Sequence, residues 1–147
     1  PNQTMNQLVK WSQMSIIDGY PKSVEPVADF TDLSKDIEAR ARAYLAINCG
    51  HCHSPKGSAS STGLYLNYSE QRLKQLGILK PPVAAGRGSG GLNYSIVPGD
   101  PDASILLFRM ISDDPAIMMP ESGRSMVHQE AVALIYDWIE RMEGEAR

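Results

Sequence analysis

Cysteine is scarce in this chain: Cys49 and Cys52 are the only two among 147 residues. No second pair exists, so a motif that takes both thiols leaves none for a structural disulfide. Long hydrophobic runs are also missing. No stretch approaches the roughly 18 consecutive apolar residues that a bilayer span requires. Basic excess is absent too: 14 Lys and Arg stand against 17 Asp and Glu, a net charge of −3, where nucleic-acid binding calls for a strong positive surplus. No second Cys or His pair stands at zinc-finger spacing, which disfavours a structural zinc site. The chain begins at Pro1, with neither an initiator Met nor a charged-then-apolar leader. We therefore expect a mature or excised form, either one from which a signal sequence has been removed or a piece of a larger exported chain.

What is present suits one globular domain. The length allows a core of its own, and the 42% hydrophobic and 21% charged content is ordinary. Charge is unevenly spread. Residues 56–95 carry five basic side chains and one acidic, whereas residues 96–147 carry four basic and ten acidic. The positive middle suits steering of an acidic partner, and equally a solvated loop that happens to be basic.

The two cysteines belong to Cys49-Gly50-His51-Cys52-His53. Two thiols separated by two residues, with a histidine directly after, form the attachment signature of a c-type haem. Each thiol adds across one porphyrin vinyl group, and the next residue, His53, then sits under the iron as an axial ligand. Cys-Gly-His-Cys is also the motif of dithiol oxidoreductases. That chemistry needs a helix starting after the motif to lower the first thiol's pKa. Here the order is reversed: Asp36 to Ile47 reads as a helix running into the motif, and Pro55-Lys56-Gly57 follows as a turn.

Along the chain, residues 4–18 predict a short amphipathic helix with Leu8, Trp11 and Met14 on one face, closed by Asp18-Gly19. Pro21 and Pro26 break residues 20–33 into a connection. A second helix starts near Ser34, with Ile37, Ala41, Tyr44 and Leu45 on its apolar face and Arg40 and Arg42 either solvated or close to a haem propionate. Gly63-Leu64-Tyr65-Leu66-Asn67-Tyr68 alternates as a short strand, expected to pair with Ile96-Val97. Ser69 is expected to cap a brief helix through Leu73 and Leu76 that Gly77 closes. The glycines from Gly86 to Gly91 lack the Lys-Ser/Thr of a phosphate-binding loop, and Arg87 among them is a candidate partner for a haem propionate. Asp100-Pro101 starts a helix through Ile105, Leu106, Phe108 and Met110 that stops near Ser112. The last helix runs from about Val127 to Met142, with Ala131, Leu134, Ile135, Trp138 and Met142 in a stripe.

A haem held by one histidine has a sixth position, which a thioether commonly fills. Met119, in the irregular loop Met118-Met119-Pro120, is the first candidate and Met118 its competitor; His128 is a weaker one. Met110 and Met126 fall on helices and read as packing.

With these residues in hand, the chain resembles class I-like monohaem c-type cytochromes. The carrying features are a helix, Cys49-Gly50-His51-Cys52-His53, a Met-Pro loop and a C-terminal helix with Trp138-Ile139. More narrowly it is similar to the haem domain of the bacterial hypothetical or planctomycete-type cytochromes, through Arg40-Ala41-Arg42-Ala43-Tyr44-Leu45, Asn48-Cys49, Val97-Pro98-Gly99-Asp100-Pro101, Arg109-Met110 and Met118-Met119-Pro120. The spacing from His53 to Met119, 66 positions, is longer than in small soluble cytochromes.

The expected fold is all-α: a cytochrome c-like helical bundle around one covalent haem c, with an N-terminal helical extension (residues 1–33), a haem domain (34–147) and a small two-stranded β patch. The expected function is electron transfer by an electron carrier, not an enzyme. Cys49, Cys52, His53, Met119 and Arg87 would hold the cofactor, with His53 and Met119 on the iron. The alternatives are a haem protein with a labile sixth position for sensing or peroxide chemistry, and a dithiol oxidoreductase. The resemblance implies a redox partner protein or a fused dehydrogenase domain, in the periplasm or another extracytoplasmic compartment, with no nucleic-acid partner.

Overall fold

The computed structural model describes residues 5–21 and 26–143. Residues 1–4 and 22–25, within the expected N-terminal extension and its connection, lie outside the described part. Among the described residues five α-helices follow one another: α1 (Gln7–Gln13), α2 (Ile37–Asn48), α3 (Leu73–Leu76), α4 (Ile105–Ile111) and α5 (Gln129–Glu140). Single 3₁₀ turns stand at Ser60–Thr62 and Gly86–Ser89. None of the described helices is long and apolar enough to cross a membrane.

Helix α2 begins where the sequence changes from turn to apolar period. Its cap is Asp36, not Ser34: the Asp36 carboxylate accepts from the Ala39 N–H at 3.0 Å. Ser34 is occupied one turn earlier, donating to Asp32. With Glu38 in the first turn, negative charge lies at the positive end of the helix dipole. The face that α2 buries holds Ala41, Tyr44 and Leu45, and it packs against α5 through Ala131, Leu134, Ile135, Trp138 and Ile139. Leu66, Ile96, Leu107 and Met110 close the same core, and α4 also packs on α5. Helix α1 buries none of its residues. It is shorter than its apolar period suggests, ending at Gln13 with Met14 as its C-cap, and Gly19 with φ +72° lies beyond an irregular stretch. Helix α4 starts later than its Asp-Pro signal. Ser104 precedes it, and Asp100 closes the turn before it by accepting from the Ala103 N–H at 3.1 Å.

The expected β patch is absent from the described residues, where only isolated parallel bridges occur, Ile78 to Ile96 and Tyr94 to Ser104. The reason is where the backbone donors go. Tyr65 N–H donates to Gln75 and Leu66 N–H to His53, so that stretch has no ladder to offer Ile96. Ile96 instead exchanges bonds with Gly77 and Leu79, its N–H donating to the Gly77 carbonyl and its carbonyl accepting from Leu79. The architecture is all-α without the patch.

Arg42 is not solvated as its position in the helical period suggests. Its side chain is buried, and its Nη2 donates to the carbonyls of Tyr68 (3.0 Å) and Glu70. The loop it holds carries a second ionic knot. The Glu70 carboxylate accepts from Arg72 Nε at 2.8 Å and Nη2 at 2.7 Å, and from the backbone N–H groups of Gln71 and Arg72. The Arg72 fork, followed by those backbone donors, holds the Glu70 carboxyl down to about 2 from an ordinary 4.5. A carboxyl with a depressed folded pKa adds stability above its unfolded value and loses it as pH falls through the folded one. Glu70→Gln should therefore lower the melting temperature at pH 7, and thermal scans should show the gap from wild type closing between pH 4.5 and pH 2. A gap that widened with acid would refute this role.

Candidate functional site

The motif stands where α2 runs out. Cys49 is the C-cap of α2, its N–H donating to Leu45 at 2.8 Å, and the Gly50 N–H reaches the same carbonyl at 3.0 Å. The chain then folds back on itself. Cys52 and His53 both donate to the Cys49 carbonyl, at 3.1 and 2.9 Å. The Cys52 carbonyl accepts from Ala59 at 3.1 Å and the His53 carbonyl from Leu66 at 2.8 Å. This knot aims Cys49, Cys52 and His53 into one cavity of about 550 Å³, within the usual size range of ligand pockets.

A second part of the lining comes from the end of α4. The Met118 N–H donates to Asp114 at 2.8 Å and the Met119 N–H to the Arg109 carbonyl at 2.9 Å. The result separates the two methionines: Met119 lines the cavity together with Cys49, Cys52 and His53, and Met118 does not. Leu64, Leu66, Leu106, Met110 and Val132 make the apolar part of the wall, and Lys80, Arg109 and Arg124 bring positive charge to it.

Burial pushes the His53 pKa down from 6.5, and the nearby Arg109 charge adds to the effect; the Leu64 backbone offsets part of it without closing a hydrogen bond of good geometry. Burial and the Arg109 charge both favour the neutral imidazole over the charged one. Its Nδ1 is buried without a hydrogen-bond partner. Burial also pushes the Cys49 thiol up to about 11, with Cys52 adding to the shift. The motif follows a helix C-terminus, whose negative end disfavours a thiolate. A dithiol oxidoreductase needs the opposite, a depressed thiol pKa, and the structure does not supply it.

His128 lines the cavity but is engaged elsewhere: its Nδ1 lies 3.2 Å from the Tyr44 hydroxyl, and Phe30 meets its ring edge-on at 5.6 Å. Arg87 is not brought to the other candidates. It is exposed and pairs with Asp114 at 2.9 Å, outside the cavity lining. The arginines that do reach the cavity are Arg109 and Arg124. Gly88, in the glycine-rich turn, seats the first of them: a Cβ there would stand 3.2 Å from the Arg109 Cζ. One sequence signal bears on Arg109, its place in the last turn of the helix that precedes the Met-Pro loop.

Among the described residues, no group of three or more His, Cys, Asp or Glu side chains gathers to hold a metal ion. On that finding the expectations that named iron are corrected: a haem c ligated by His53 and Met119, electron transfer through that iron, and the alternative of a labile sixth position. What the structure holds is coarser, an apolar-walled cavity with two free thiols, an imidazole and a thioether in its lining. Comparison with protein-family models, with curated proteins and with solved structures finds no match to this chain.

Proposed function

We propose that this chain is an electron carrier of the c-type cytochrome kind rather than an enzyme, and that its cavity takes a flat prosthetic group against Cys49, Cys52, His53 and Met119. The observation that carries the reading is that residues 66 positions apart in sequence, His53 and Met119, share one cavity with both thiols of the chain. A bare metal ion needs three or four donors from the protein, and the described residues gather no such set. A ring that brings its own donor atoms asks the chain only for anchors and a dry wall. The thiols supply the anchors, and Leu64, Leu66, Leu106, Met110 and Val132 supply the wall. The orphaned Nδ1 of His53 and the bias of its ring toward the neutral form fit a group that binds through an uncharged imidazole.

When bound, such a group accepts and releases an electron. The residues of the chain orient it and keep water from its faces. The resemblance to the cytochromes further implies a redox partner, either a separate protein or a fused dehydrogenase-like domain, and an extracytoplasmic compartment. The positive stretch with Lys56, Lys74 and Lys80 supports an acidic partner surface.

The test is to purify the chain from a host that matures cytochromes in its periplasm. Intact mass, thiol titration and visible spectra before and after dithionite are then recorded. The expected result is a mass above that of the polypeptide, no titratable thiol, and a visible spectrum that changes on reduction. A colourless chain with two titratable thiols would sink the proposal.

A further inference from the structure

We infer that Arg124 is the positioning residue that holds Met119 on the cavity wall. The inference rests on the proposed function only in taking Met119 as a working residue; the contacts themselves stand apart from it. Helix α4 ends at Ile111, so the carbonyls of Met110 and Ser112 lie among those that a helix C-terminus leaves without partners. Arg124 takes both of them. Its Nη1 donates to the Met110 carbonyl at 2.7 Å, and its Nη2 to the Ser112 carbonyl. The same Nη1 donates to the Met119 carbonyl at 2.8 Å. One guanidinium thus bridges the end of α4 and the turn that carries Met119.

The setting shows that the charge serves this bridge. Arg124 is half-buried, and among the described residues no carboxylate lies within ion-pair distance of it. Its described hydrogen bonds all go to main-chain carbonyls. A cation at a helix C-terminus is favoured by the dipole, and hydrogen bonds from a charged donor are the stronger kind. A planar fork with five N–H groups serves three carbonyls at once, which an ammonium on a flexible stem does poorly.

The upstream side of the turn is fixed independently. Arg109 Nε donates to the Ile117 carbonyl at 2.8 Å, and the Met119 N–H donates to the Arg109 carbonyl. Arg124 fixes the downstream side. Methionine has three rotatable bonds, so the place of its sulfur depends on how firmly the backbone beneath it is held.

Methionine oxidation separates positioning from general loosening. The full chain as purified is treated with dilute hydrogen peroxide, and sulfoxide at each methionine is followed by peptide mass spectrometry. Met126, 77% exposed, calibrates the reagent, and Met142, half-buried against the core just past the end of α5 and outside both the cavity lining and the Arg124 contacts, reports global opening. In Arg124→Gln the oxidation rate of Met119 relative to Met126 should rise several-fold while that of Met142 stays at its wild-type value. An unchanged Met119 rate, or one that rises in step with Met142, overturns the inference. If Arg124→Gln does not fold, Arg124→Lys decides by the same two ratios, since it keeps the charge and loses the fork. The readout needs no prosthetic group, so a colourless chain that sinks the proposed function leaves this measurement intact.

Discussion

Trp138→Ala should destabilise the chain by about 3–5 kcal/mol, the range for removing a large aromatic from a packed core. Trp138 is 6% exposed and sits in the cluster where α5 meets α2, with Ala41, Tyr44 and Leu45 in the same core. Its neighbours leave little room for collapse. Ile135 and Ile139, on the same helix, are both wholly buried and already packed. At roughly 2–4 °C per kcal/mol for a chain of this size, the melting temperature should fall by about 10 °C. The effect reaches the cavity because α2 delivers Cys49 and α5 begins beside His128, so loosening the α2–α5 contact frees both ends of the lining. Urea titration with an unchanged slope is the direct check. A loss below about 1 kcal/mol, typical of a surface position, would mean that Trp138 does not anchor the helix crossing.

The parts of this structure that were legible in the sequence are those set by local period. The apolar stripes of α2 and α5 face the core: Ala41, Tyr44, Leu45, Ala131, Leu134, Ile135 and Trp138 are buried, and Ile37 and Met142 pack half-buried against them. Gly77 closes α3 at φ +104°, as a glycine after a short helix suggests. The parts that were not legible depend on contacts distant in the chain. Alternation in Leu64-Tyr65-Leu66 has a strand's period, but its N–H groups are claimed by Gln75 and His53 before any ladder can form. Arg42 lies beside an apolar stripe and looks solvated until the loop of Tyr68 and Glu70 covers it. Arg87 and Arg109 could not be told apart by composition. Their roles diverge because Asp114 captures the first and Gly88 makes room for the second. For the site, Cys49, Cys52 and His53 come together because they are neighbours in the chain. Met119 joins them only through the tertiary path of α4, which backbone bonds to Asp114 and Arg109 select over the alternative of Met118.

Gly57→Ala should break the wall that carries the motif, although residue 57 itself does not line the cavity. A Cβ at this position would stand 2.1 Å from the Cys52 carbonyl oxygen and 2.8 Å from that of His51. Both are backbone atoms, so no side-chain rotation relieves the clash. The Cys52 carbonyl also accepts from Ala59 at 3.1 Å, and the Gly57 N–H donates to Ser54 at 3.0 Å. Relief therefore means opening the turn between Cys52 and Ala59, with loss of those bonds. Overpacking of this kind costs about 1–3 kcal/mol and sometimes more. The functional effect should exceed the stability effect, because the atoms that must move are the carbonyls of Cys52 itself and of His51, next to it in the motif. In the periplasmic maturation experiment, intact mass should show most of the Gly57→Ala chain without the added mass that the proposed function expects of the wild type. Lys56→Ala, one residue away and exposed, should load as the wild type does. Full loading of Gly57→Ala would show that the turn tolerates opening and that the cavity does not depend on its closure.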